Sequence, residues 1–453
     1  MIFERLMSQA QDQLFGCETY RINFDVVENE RVISDLARRF FRGEELKGEG
    51  PSSFISLTKR TLCQYLGWKY WSSSKMIDMW RSLMGFIAVP VLLEYYLAKR
   101  ICQPQRFRKT IRCENAVFLP AEYCRSFIEE MYGHNAYFLP EGVRDLRFRD
   151  LGFLFRLFLS YPRLLLYPEL AARIIARVSQ YSGALSSCAP LRIVNFAEGS
   201  GWSSVMTAFC RARGIQHVNI MHGVRYFSSP MAFSEFDVFY VWGQYQLDQF
   251  RRMHVSANPF IISGNAFHRQ LRRMLSSRPP GLVKKALIVF EIILGMDPDL
   301  YAVLGEVLRQ IPKDYRIACR YHPLEIQRSR DFTERLAHDL QIDLRQEDPH
   351  QISLTESLRD AHVIIGCYSN ALTDAWIAGK KCIYLTLANN RAIPLQEHHA
   401  SKNVRIFYPG DQLGSFLRDP VIADDEEHRL KTRFSFGYQF SEDEKKSAPN
   451  SLG

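Results

Sequence analysis

The chain of 453 residues lacks the long apolar run that a membrane-spanning helix requires. Such a helix needs about 20 consecutive apolar residues. The apolar stretch Leu83–Leu93 spans only 11 residues, lies between Arg81 and Glu94, and contains Pro90. The amino-terminal residues Met1–Leu14 mix charged and apolar side chains and lack the apolar segment of a signal peptide. These absences predict a cytoplasmic protein.

Paired cysteines are also lacking, although the chain contains 10 cysteines. No two of them form a Cys-x-x-Cys motif, which argues against a zinc ribbon and against a thioredoxin-type redox site. Some of them, including Cys319 and Cys382, lie inside apolar runs. We therefore expect buried, reduced thiols.

Nucleotide-binding signatures of the common kinds are absent as well. The chain has no G-x-x-x-x-G-K-[ST] phosphate loop and no G-x-G-x-x-G fingerprint. It also has no internal repeat and no low-complexity tract. Any nucleotide site must therefore be built from other residues.

The charge is moderately positive, with 58 basic and 49 acidic residues and a formal net charge of +9. Such an excess suits an anionic ligand or an acidic membrane surface. A nucleic-acid partner is not expected, because the recognition motifs and basic clusters of that class are missing.

A regular alternation of strands and helices begins at residue 191. It predicts an α/β fold with two Rossmann-like doubly wound domains that face a cleft. The predicted strands are Leu191–Phe196, His217–Met221, Phe236–Trp242, Pro259–Ser263, Lys285–Glu291, Tyr315–Arg320, Ile342–Arg345, His362–Gly366 and Lys381–Leu385. The predicted helices are Trp202–Arg213, Gln244–Met253, Asp299–Gln310, Arg330–Leu340, His350–Leu358 and Ala371–Ala378.

The domain boundaries follow from a linker at 274–283, which is rich in Ser, Pro and Gly. We expect an acceptor-side domain over 1–275, a nucleotide-sugar-binding domain over 281–410, a helical segment over 411–440 and a disordered tail over 441–453. Residues 1–190 show the weakest pattern. They favour strands at Tyr20–Val27 and Ala116–Leu119, with a helix after each, the second at Cys124–Tyr132.

One apolar region, Leu151–Val178, permits two interpretations. It carries Arg156, Arg163, Arg173 and Arg177 among Phe and Leu residues. The first interpretation is a pair of core helices. The second is a basic amphipathic surface that lies on a membrane, here the cytoplasmic face of an inner membrane.

Two groups of residues at predicted strand ends suit a phosphate. Arg320, His322 and Pro323 follow the strand Tyr315–Arg320, and Pro323 would fix the turn that aims His322. Ser369 and Asn370 precede a helix, whose free amides can bind an anion. The structural alternatives are a solvent-exposed turn histidine and a plain helix cap.

Two further groups suit an acceptor. Glu198 and Gly199 follow the strand Leu191–Phe196, so that Glu198 is a candidate general base. His222 follows the next strand and is a second candidate base, and Arg225 could bind a carboxylate or phosphate. The structural alternatives are a solvated turn at Glu198 and a loop-capping role for His222.

With these four groups in this order, residues 190–410 resemble bacterial glycosyltransferases of the GT-B architecture that build surface polysaccharides. The pattern is similar to that of sialyl-, polysialyl- and Kdo-transferases, which use CMP-sugars. His322-Pro323 matches their His-Pro motif. Ala197-Glu198-Gly199 keeps one acid of their acidic-acidic-Gly motif, and Ser369-Asn370 keeps one hydroxyl of their Ser-Ser/Thr motif.

A second resemblance exists within the same architecture. CDP-glycerol glycerophosphotransferases also carry a His-Gly and a later His-Pro, as do His222-Gly223 and His322-Pro323 here. The Trp and Thr around their His-Gly are absent. UDP-sugar epimerases share the architecture, but their His-Val-Glu-Ala-Gly signature is missing. An alternative of another class is a non-catalytic nucleotide-sugar-binding or scaffold protein.

The resemblance implies an inverting transfer from a nucleotide-sugar donor to a glycan or lipid-linked acceptor. We expect Glu198 or His222 to be the base, and Arg320, His322, Ser369 and Asn370 to hold the phosphate. No cofactor beyond the donor and no metal is expected. The chain has one Asp-x-Asp motif, Asp297-Pro298-Asp299. It falls at a predicted helix start, where helix capping is a better interpretation than metal binding.

Overall fold

The computed structural model describes most of the chain. The described residues are 26–41, 46, 52–70, 75–102, 111–118, 124–139, 145–196, 202–221, 227–264, 284–290, 298–322, 326–367, 369–386 and 402–418. They divide into two compact units, with unit 1 over Met1–Val241 and Leu247–Ile262 and unit 2 over Trp242–Gln246 and Ser263–Gly453.

Helices are numbered here in chain order. They are α1 Val26–Phe40, α2 Phe54–Tyr70, α3 Lys75–Cys102, α4 Cys124–Tyr132, α5 Phe148–Ser160, α6 Pro168–Ser187, α7 Ser203–Arg211, α8 Gln244–Arg252, α9 Pro298–Gln310, α10 Ile326–Leu340, α11 Leu354–Arg359, α12 Asn370–Ile377 and α13 Gly414–Arg418. Short 3₁₀ helices occupy Gly133–Asn135, Pro162–Leu166 and Ser229–Met231. Within the described part of the chain, no helix is long and apolar enough to cross a membrane.

The strands form two six-stranded sheets and one two-stranded sheet. They are β1 Ile111–Val117, β2 Ala136–Phe138, β3 Cys188–Asn195, β4 Gln216–Ile220, β5 Glu235–Phe236, β6 Val238–Val241, β7 Ser256–Ala257, β8 Phe260–Ile262, β9 Lys284–Val289, β10 Tyr315–Arg320, β11 Leu344–Glu347, β12 Val363–Gly366, β13 Lys381–Leu385 and β14 Val404–Phe407.

Unit 1 contains a parallel sheet with the strand order β2-β1-β3-β4-β6-β8. The strand order reverses between β1 and β3, as in doubly wound folds. Alternate residues of β3 and β4 pack on opposite faces. Ile193 joins a core with Phe209 of α7, and Val194 joins a second core with Val218.

Unit 2 contains a parallel sheet with the order β11-β10-β9-β12-β13-β14. Its core packs alternate strand residues against α9, for example Ile288 and Ile365 against Leu304. The order reverses between β9 and β12. The predicted α/β fold with two Rossmann-like sheets is therefore confirmed.

A buried ion cluster attaches α2 to the strands of unit 1. Arg60 and Glu235 are each 2% exposed, and the Arg60 Nε lies 3.1 Å from Glu235 Oε2. Arg211 joins the cluster through Glu235 at 3.0 Å and Asp237 at 2.7 Å. Burying one of these charges without its partners would be costly, so the cluster specifies how α2 packs in unit 1.

Some predicted elements need correction. The predicted strand Tyr20–Val27 ends inside α1, and Tyr20–Asp25 lie outside the described residues. The predicted strand Phe236–Trp242 is two strands, because β5 pairs with β7 in the small sheet while β6 pairs with β4 and β8.

In unit 2 the predicted strand Ile342–Arg345 is shifted to β11, and the predicted helix His350–Leu358 is reduced to α11. In α11 the Ser353 side chain caps the helix three residues after the predicted start.

Three predicted segments fall wholly or largely outside the described residues. The linker at 274–283 and the tail at 441–453 are not described, and of 411–440 only 411–418 are. The observed division between units follows Ile262.

Of the cysteines whose side chains the structure describes, none lies in a disulfide, and all except Cys113 are buried. Burial raises the pKa of the Cys319 thiol to about 12. The prediction of buried, reduced thiols is confirmed for Cys63, Cys188, Cys210, Cys319, Cys367 and Cys382.

Candidate functional site

His322 lies two residues beyond the carboxyl end of β10, as the sequence predicts. Its neighbour Tyr321 is anchored by a 2.8 Å hydrogen bond between its hydroxyl and Thr333 Oγ1. The His322 ring is half-buried, and this burial lowers its pKa below the ordinary 6.5. The imidazole is therefore mainly neutral at pH 7, and it would meet a phosphate as a hydrogen-bond donor whose pKa the anion then raises.

Arg320, the last residue of β10, is half-buried and has protein partners. Its Nη1 donates to Ile352 O at 2.6 Å and to Ser357 Oγ at 3.0 Å. These bonds hold the connection between β11 and α11 against the sheet. Arg320 thus positions this connection in addition to bringing charge to the strand end.

Ser369 is the N-cap of α12. Its Oγ accepts a 3.2 Å hydrogen bond from the Ala371 amide, and Asn370 is the first helical residue. The predicted cap is confirmed. The Leu372 amide bonds to the Ser369 carbonyl oxygen at 3.0 Å, so Ser369 already binds two amides of the first turn. The positive end of the helix dipole remains favourable for an anion.

Gly366 ends β12 in a space that admits no side chain. A Cβ there would lie 2.9 Å from Val289 O and 2.9 Å from Val289 Cγ2. Because Gly366 has no side chain, the ends of β9 and β12 can pack closely at the point where the strand order reverses.

The strand order brings the two sets of candidate phosphate-binding residues to the carboxyl edge of the sheet in unit 2. β9 lies between β10 and β12, and neighbouring strands are about 4.8 Å apart, so the ends of β10 and β12 are roughly 10 Å apart. His322 and Ser369–Asn370 thus flank the strand-order reversal of unit 2. Ligands of open parallel sheets bind at such positions.

A separate pocket of about 430 Å³ lies on one face of the same sheet. It is lined by residues including Lys285, Arg316, Arg345 and Glu347. The Lys285 Nζ contacts Glu347 Oε1 at 2.5 Å and Ser357 O at 3.1 Å. Neither His322 nor Ser369 lines this pocket, so it is distinct from the strand-end site.

In unit 1 the predicted acceptor residues follow neighbouring strands. β3 and β4 are paired from Arg192–Gln216 to Asn195–Asn219. Glu198 and Gly199 follow β3, and His222 and Arg225 follow β4, but these four residues and Pro323 lie outside the described residues. Their assignments stay predictions.

A buried polar network that the sequence did not reveal connects Asn195, the last residue of β3, with His217, near the start of β4. His217 of β4 is 0% exposed. Its Nδ1 lies 2.7 Å from Thr207 Oγ1, and its Nε2 lies 2.6 Å from Asn195 Nδ2 and 3.2 Å from Tyr181 OH. Burial lowers the pKa of His217 to about 3, so the ring is neutral.

Only a weak sequence signal pointed to this network. His217 and Asn219 are polar residues inside an otherwise apolar strand, a pattern that indicates buried polar groups with partners. Nothing in the sequence identifies Thr207 or Tyr181 as those partners.

Metal ligands do not cluster in the part of the chain that the structure describes. No group of three or more His, Cys, Asp or Glu side chains is placed there to hold an ion. Asp299 lies in the first turn of α9, directly after Pro298, in agreement with the expected helix start.

Comparison with known proteins finds no matching family model and no matching curated protein. Several solved structures align. UDP-GlcNAc 2-epimerase from Neisseria meningitidis, bound to UDP-GlcNAc, is 11% identical over 68% of this chain and 90% of that chain, with a TM-score of 0.44. An Anabaena protein in complex with UDP and glucose is 12% identical over 71% and 95%, with a TM-score of 0.43.

The wall teichoic acid polymerase TagF is 12% identical over 69% of this chain and 79% of that chain, with a TM-score of 0.34. Similarities of this size assign neither an activity nor a ligand to this chain.

Proposed function

We propose that the chain is a glycosyltransferase that moves a sugar from a nucleotide-activated donor, specifically a CMP-sugar, to a surface polysaccharide or lipid-linked glycan. The observation that carries the proposal is the placement of His322 and the start of α12 on either side of β9, at the strand-order reversal of unit 2. A nucleotide phosphate fits between a histidine and a helix N-terminus.

In this proposal the phosphate is held at the strand ends of unit 2. His322 donates from its ring, Ser369 and Asn370 bring the positive end of α12, and Arg320 adds positive charge. Pro323 is proposed to fix the turn after His322. Donors organised around a leaving group are worth about 10²–10³ in rate each.

The transfer inverts the anomeric carbon in a single displacement. The acceptor oxygen forms the new glycosidic bond while the nucleotide leaves with the electron pair of the old one. Glu198, or His222 in its place, takes the acceptor proton, which contributes about 10²–10⁴ in rate. Gly199 and Arg225 hold the acceptor.

The negative charge of the leaving nucleotide is met by Arg320, His322 and the α12 amides, so the proposed reaction needs neither metal nor other cofactor. An active preparation should therefore keep its turnover in chelator. Loss of turnover that a divalent cation restores would contradict this part of the proposal.

The reaction is proposed to take place in the cytoplasm, at the inner face of the membrane where lipid-linked acceptors are available. Support for the membrane contact comes from exposed apolar and basic residues of unit 1, such as Phe155 and Arg156.

A second candidate is transfer of a polyol phosphate from a donor such as CDP-glycerol. The order of His222-Gly223 and His322-Pro323 favours it. In that reaction His222 is the base and the product is a phosphodiester.

A third candidate is a binding or scaffold protein, which would hold the donor and neither transfer nor hydrolyse it.

Calorimetric titration of the full chain with CMP, CDP, UDP and GDP tests the nucleotide site. We expect CMP to bind most tightly, and His322→Ala to weaken binding about tenfold or more. His338→Ala is the matched control, because the side chain of His338 on α10 is 89% exposed.

Preference for CDP would favour the polyol phosphate candidate. If no nucleotide binds, or if His322→Ala binds like the wild type, the proposed site is wrong.

Turnover of a labelled CMP-sugar tests the base. Glu198→Gln should lose about 10²-fold or more in turnover while donor binding persists. Unchanged turnover in Glu198→Gln, with loss in His222→Gln, would transfer the role to His222. Donor binding without transfer or hydrolysis in the wild type would favour the scaffold candidate.

A further inference from the structure

Helix α5 is apolar on the side that faces water as well as on the side that faces the core. Leu151, Leu154 and Leu157 are buried. Phe148 and Phe155 are nevertheless each 63% exposed, and Leu159 is 77% exposed. These three residues lie at i, i+7 and i+11, a spacing that places them in one stripe along the helix.

The exposed stripe continues beyond α5. In the 3₁₀ helix that follows, Leu164 is buried, but Leu165 is 46% exposed and Leu166 is 73% exposed. Single exposed apolar residues are ordinary on protein surfaces. Five large ones in two consecutive helices are not, so this surface needs a partner.

Helix α3 adds to the same region of unit 1. Leu83, Phe86 and Ile87 are 51%, 61% and 54% exposed. Gly85 lies among them and packs directly on the start of α6, where a Cβ would lie 2.5 Å from the Glu169 amide. The exposed turn of α3 therefore lies beside the end of the 3₁₀ helix.

The charges within this segment are positive. Arg149, Arg156 and Arg163 are exposed, and the Arg156 guanidinium lies 5.2 Å from the ring centroid of Phe54. Asp150 is the only acidic residue between Leu146 and Pro168. It is 1% exposed and paired with Arg213.

Two other arginines of the predicted basic surface do not contribute. Arg173 pairs with Glu169 at 2.9 Å, and the Arg177 guanidinium packs 4.8 Å from the Trp202 ring centroid. The region Leu151–Val178 thus combines both interpretations of the sequence. Helix α6 is mostly core, whereas α5 and the 3₁₀ helix present the apolar and basic surface.

We propose that this surface, formed by Phe148, Arg149, Phe155, Arg156, Leu159, Arg163, Leu165 and Leu166 and extended by Leu83, Phe86 and Ile87, binds an anionic lipid membrane. The apolar side chains enter the boundary between headgroups and acyl chains, and the arginines contact lipid phosphates. This inference deepens the membrane location proposed above, and it does not depend on which nucleotide the chain binds.

Charge favours a membrane over a second copy of the chain. In a two-fold symmetric dimer the same surface would face itself. The arginines of both copies would then approach one another without exposed acids from this segment between them. An anionic lipid surface instead supplies many phosphates to all three arginines.

Vesicle co-sedimentation of the full chain tests the proposal. The wild type should bind phosphatidylcholine vesicles that contain phosphatidylglycerol, bind pure phosphatidylcholine vesicles more weakly, and dissociate at high salt. Phe155→Glu with Leu159→Glu should lower the partition coefficient about tenfold or more. Arg149→Gln with Arg163→Gln should remove the preference for the anionic vesicles.

The matched control is Val27→Glu with Leu191→Glu. These residues are 77% and 65% exposed and lie elsewhere in unit 1, so their replacement should leave vesicle binding unchanged. Circular dichroism should show the same folded spectrum for all variants.

Wild-type protein that does not bind anionic vesicles, or glutamate variants that bind as the wild type does, would overturn the proposal. A dimer in light scattering that only Phe155→Glu with Leu159→Glu dissociates would show that a second copy covers the surface. Nucleotide binding should be unchanged in every surface variant. A wild-type protein that binds vesicles but no nucleotide would therefore contradict the proposed function and leave the membrane proposal standing.

Discussion

At the scale of single residues, His217 makes the stability of unit 1 depend on pH. The ring is enclosed by Thr207, Asn195 and Tyr181, and burial lowers its pKa to about 3. In the unfolded chain a histidine has an ordinary pKa of about 6.5. The unfolded state therefore binds the proton more readily than the folded state between these two values.

This difference predicts that stability is lost as the pH falls from about 6.5 towards 3. Between pH 7 and pH 5, His217 should contribute a loss of about 2 kcal/mol in the free energy of unfolding. Urea unfolding at both pH values should show that loss in the wild type and a smaller one in His217→Gln. An equal loss in both proteins would mean that His217 is not the titrating group.

His322 shows what the sequence can and cannot predict about a residue. The apolar strand Tyr315–Cys319 before it was sufficient to place it at a strand end, where the structure has it. Its half-buried, mainly neutral state results from burial in the folded chain. Local sequence carries no information about this burial, so it could not predict that His322 would meet a phosphate as a mainly neutral donor.

At the scale of elements, the start of α12 has a close structural counterpart in the same unit. Ser369 caps α12 and Ser353 caps α11, each accepting a 3.2 Å hydrogen bond from a helix amide. Ser353 belongs to a complete capping box with Glu356. The two serines therefore allow the effect of a lost cap to be separated from the effect of a lost ligand contact.

Replacing either cap by alanine should lower the free energy of unfolding by about 1 kcal/mol. Only Ser369→Ala should also weaken nucleotide binding, by about tenfold. Thermal unfolding and calorimetric titration measure the two effects. If Ser353→Ala weakens binding as much as Ser369→Ala, the loss reflects stability rather than contact with the phosphate.

The junction of β9 and β12 depends on Gly366. An added methyl group would lie 2.9 Å from the Val289 carbonyl oxygen, and a strand backbone cannot move aside as a side chain can. Gly366→Ala should therefore destabilise the protein by about 1–3 kcal/mol in urea unfolding.

Gly152→Ala is the control for this prediction. Gly152 lies within α5 and has no atom within 4 Å of an added Cβ, so alanine should stabilise the helix by about 0.5–1 kcal/mol. A harmless Gly366→Ala would mean that the ends of β9 and β12 are not held as closely as described.

The sequence predicted elements well where apolar strands alternate with capped helices. The strands Tyr315–Arg320 and Lys381–Leu385 agree residue for residue with β10 and β13. The predicted helix Trp202–Arg213 is observed as Ser203–Arg211, and Gly214 follows it with a φ of 67°. The split of Phe236–Trp242 into β5 and β6 escaped prediction. It results from pairing with β7, an interaction that apolar periodicity does not encode.

At the scale of the whole molecule, each unit has its own six-stranded parallel sheet and its own core. From residue 191 onward, every strand of these two sheets except β14 was predicted. The strands β1 and β2 were largely hidden in the sequence, because β1 carries the polar residues Arg112, Glu114 and Asn115 and β2 has only three residues. The helices α2 and α3 likewise gave no clear apolar stripe, and α2 is attached by buried polar groups such as Arg60. A helix in the region of α1 was predicted.

The proposed function depends on a nucleotide binding at the carboxyl edge of unit 2. Hydrogen–deuterium exchange of the full chain, with and without saturating CMP or CDP, tests that location most directly. We expect slower exchange at the end of β10 around His322 and at the first amides of α12, with little change around the exposed stripe of α5. Protection confined to other regions, or none under conditions where the nucleotide binds, would contradict the proposed location.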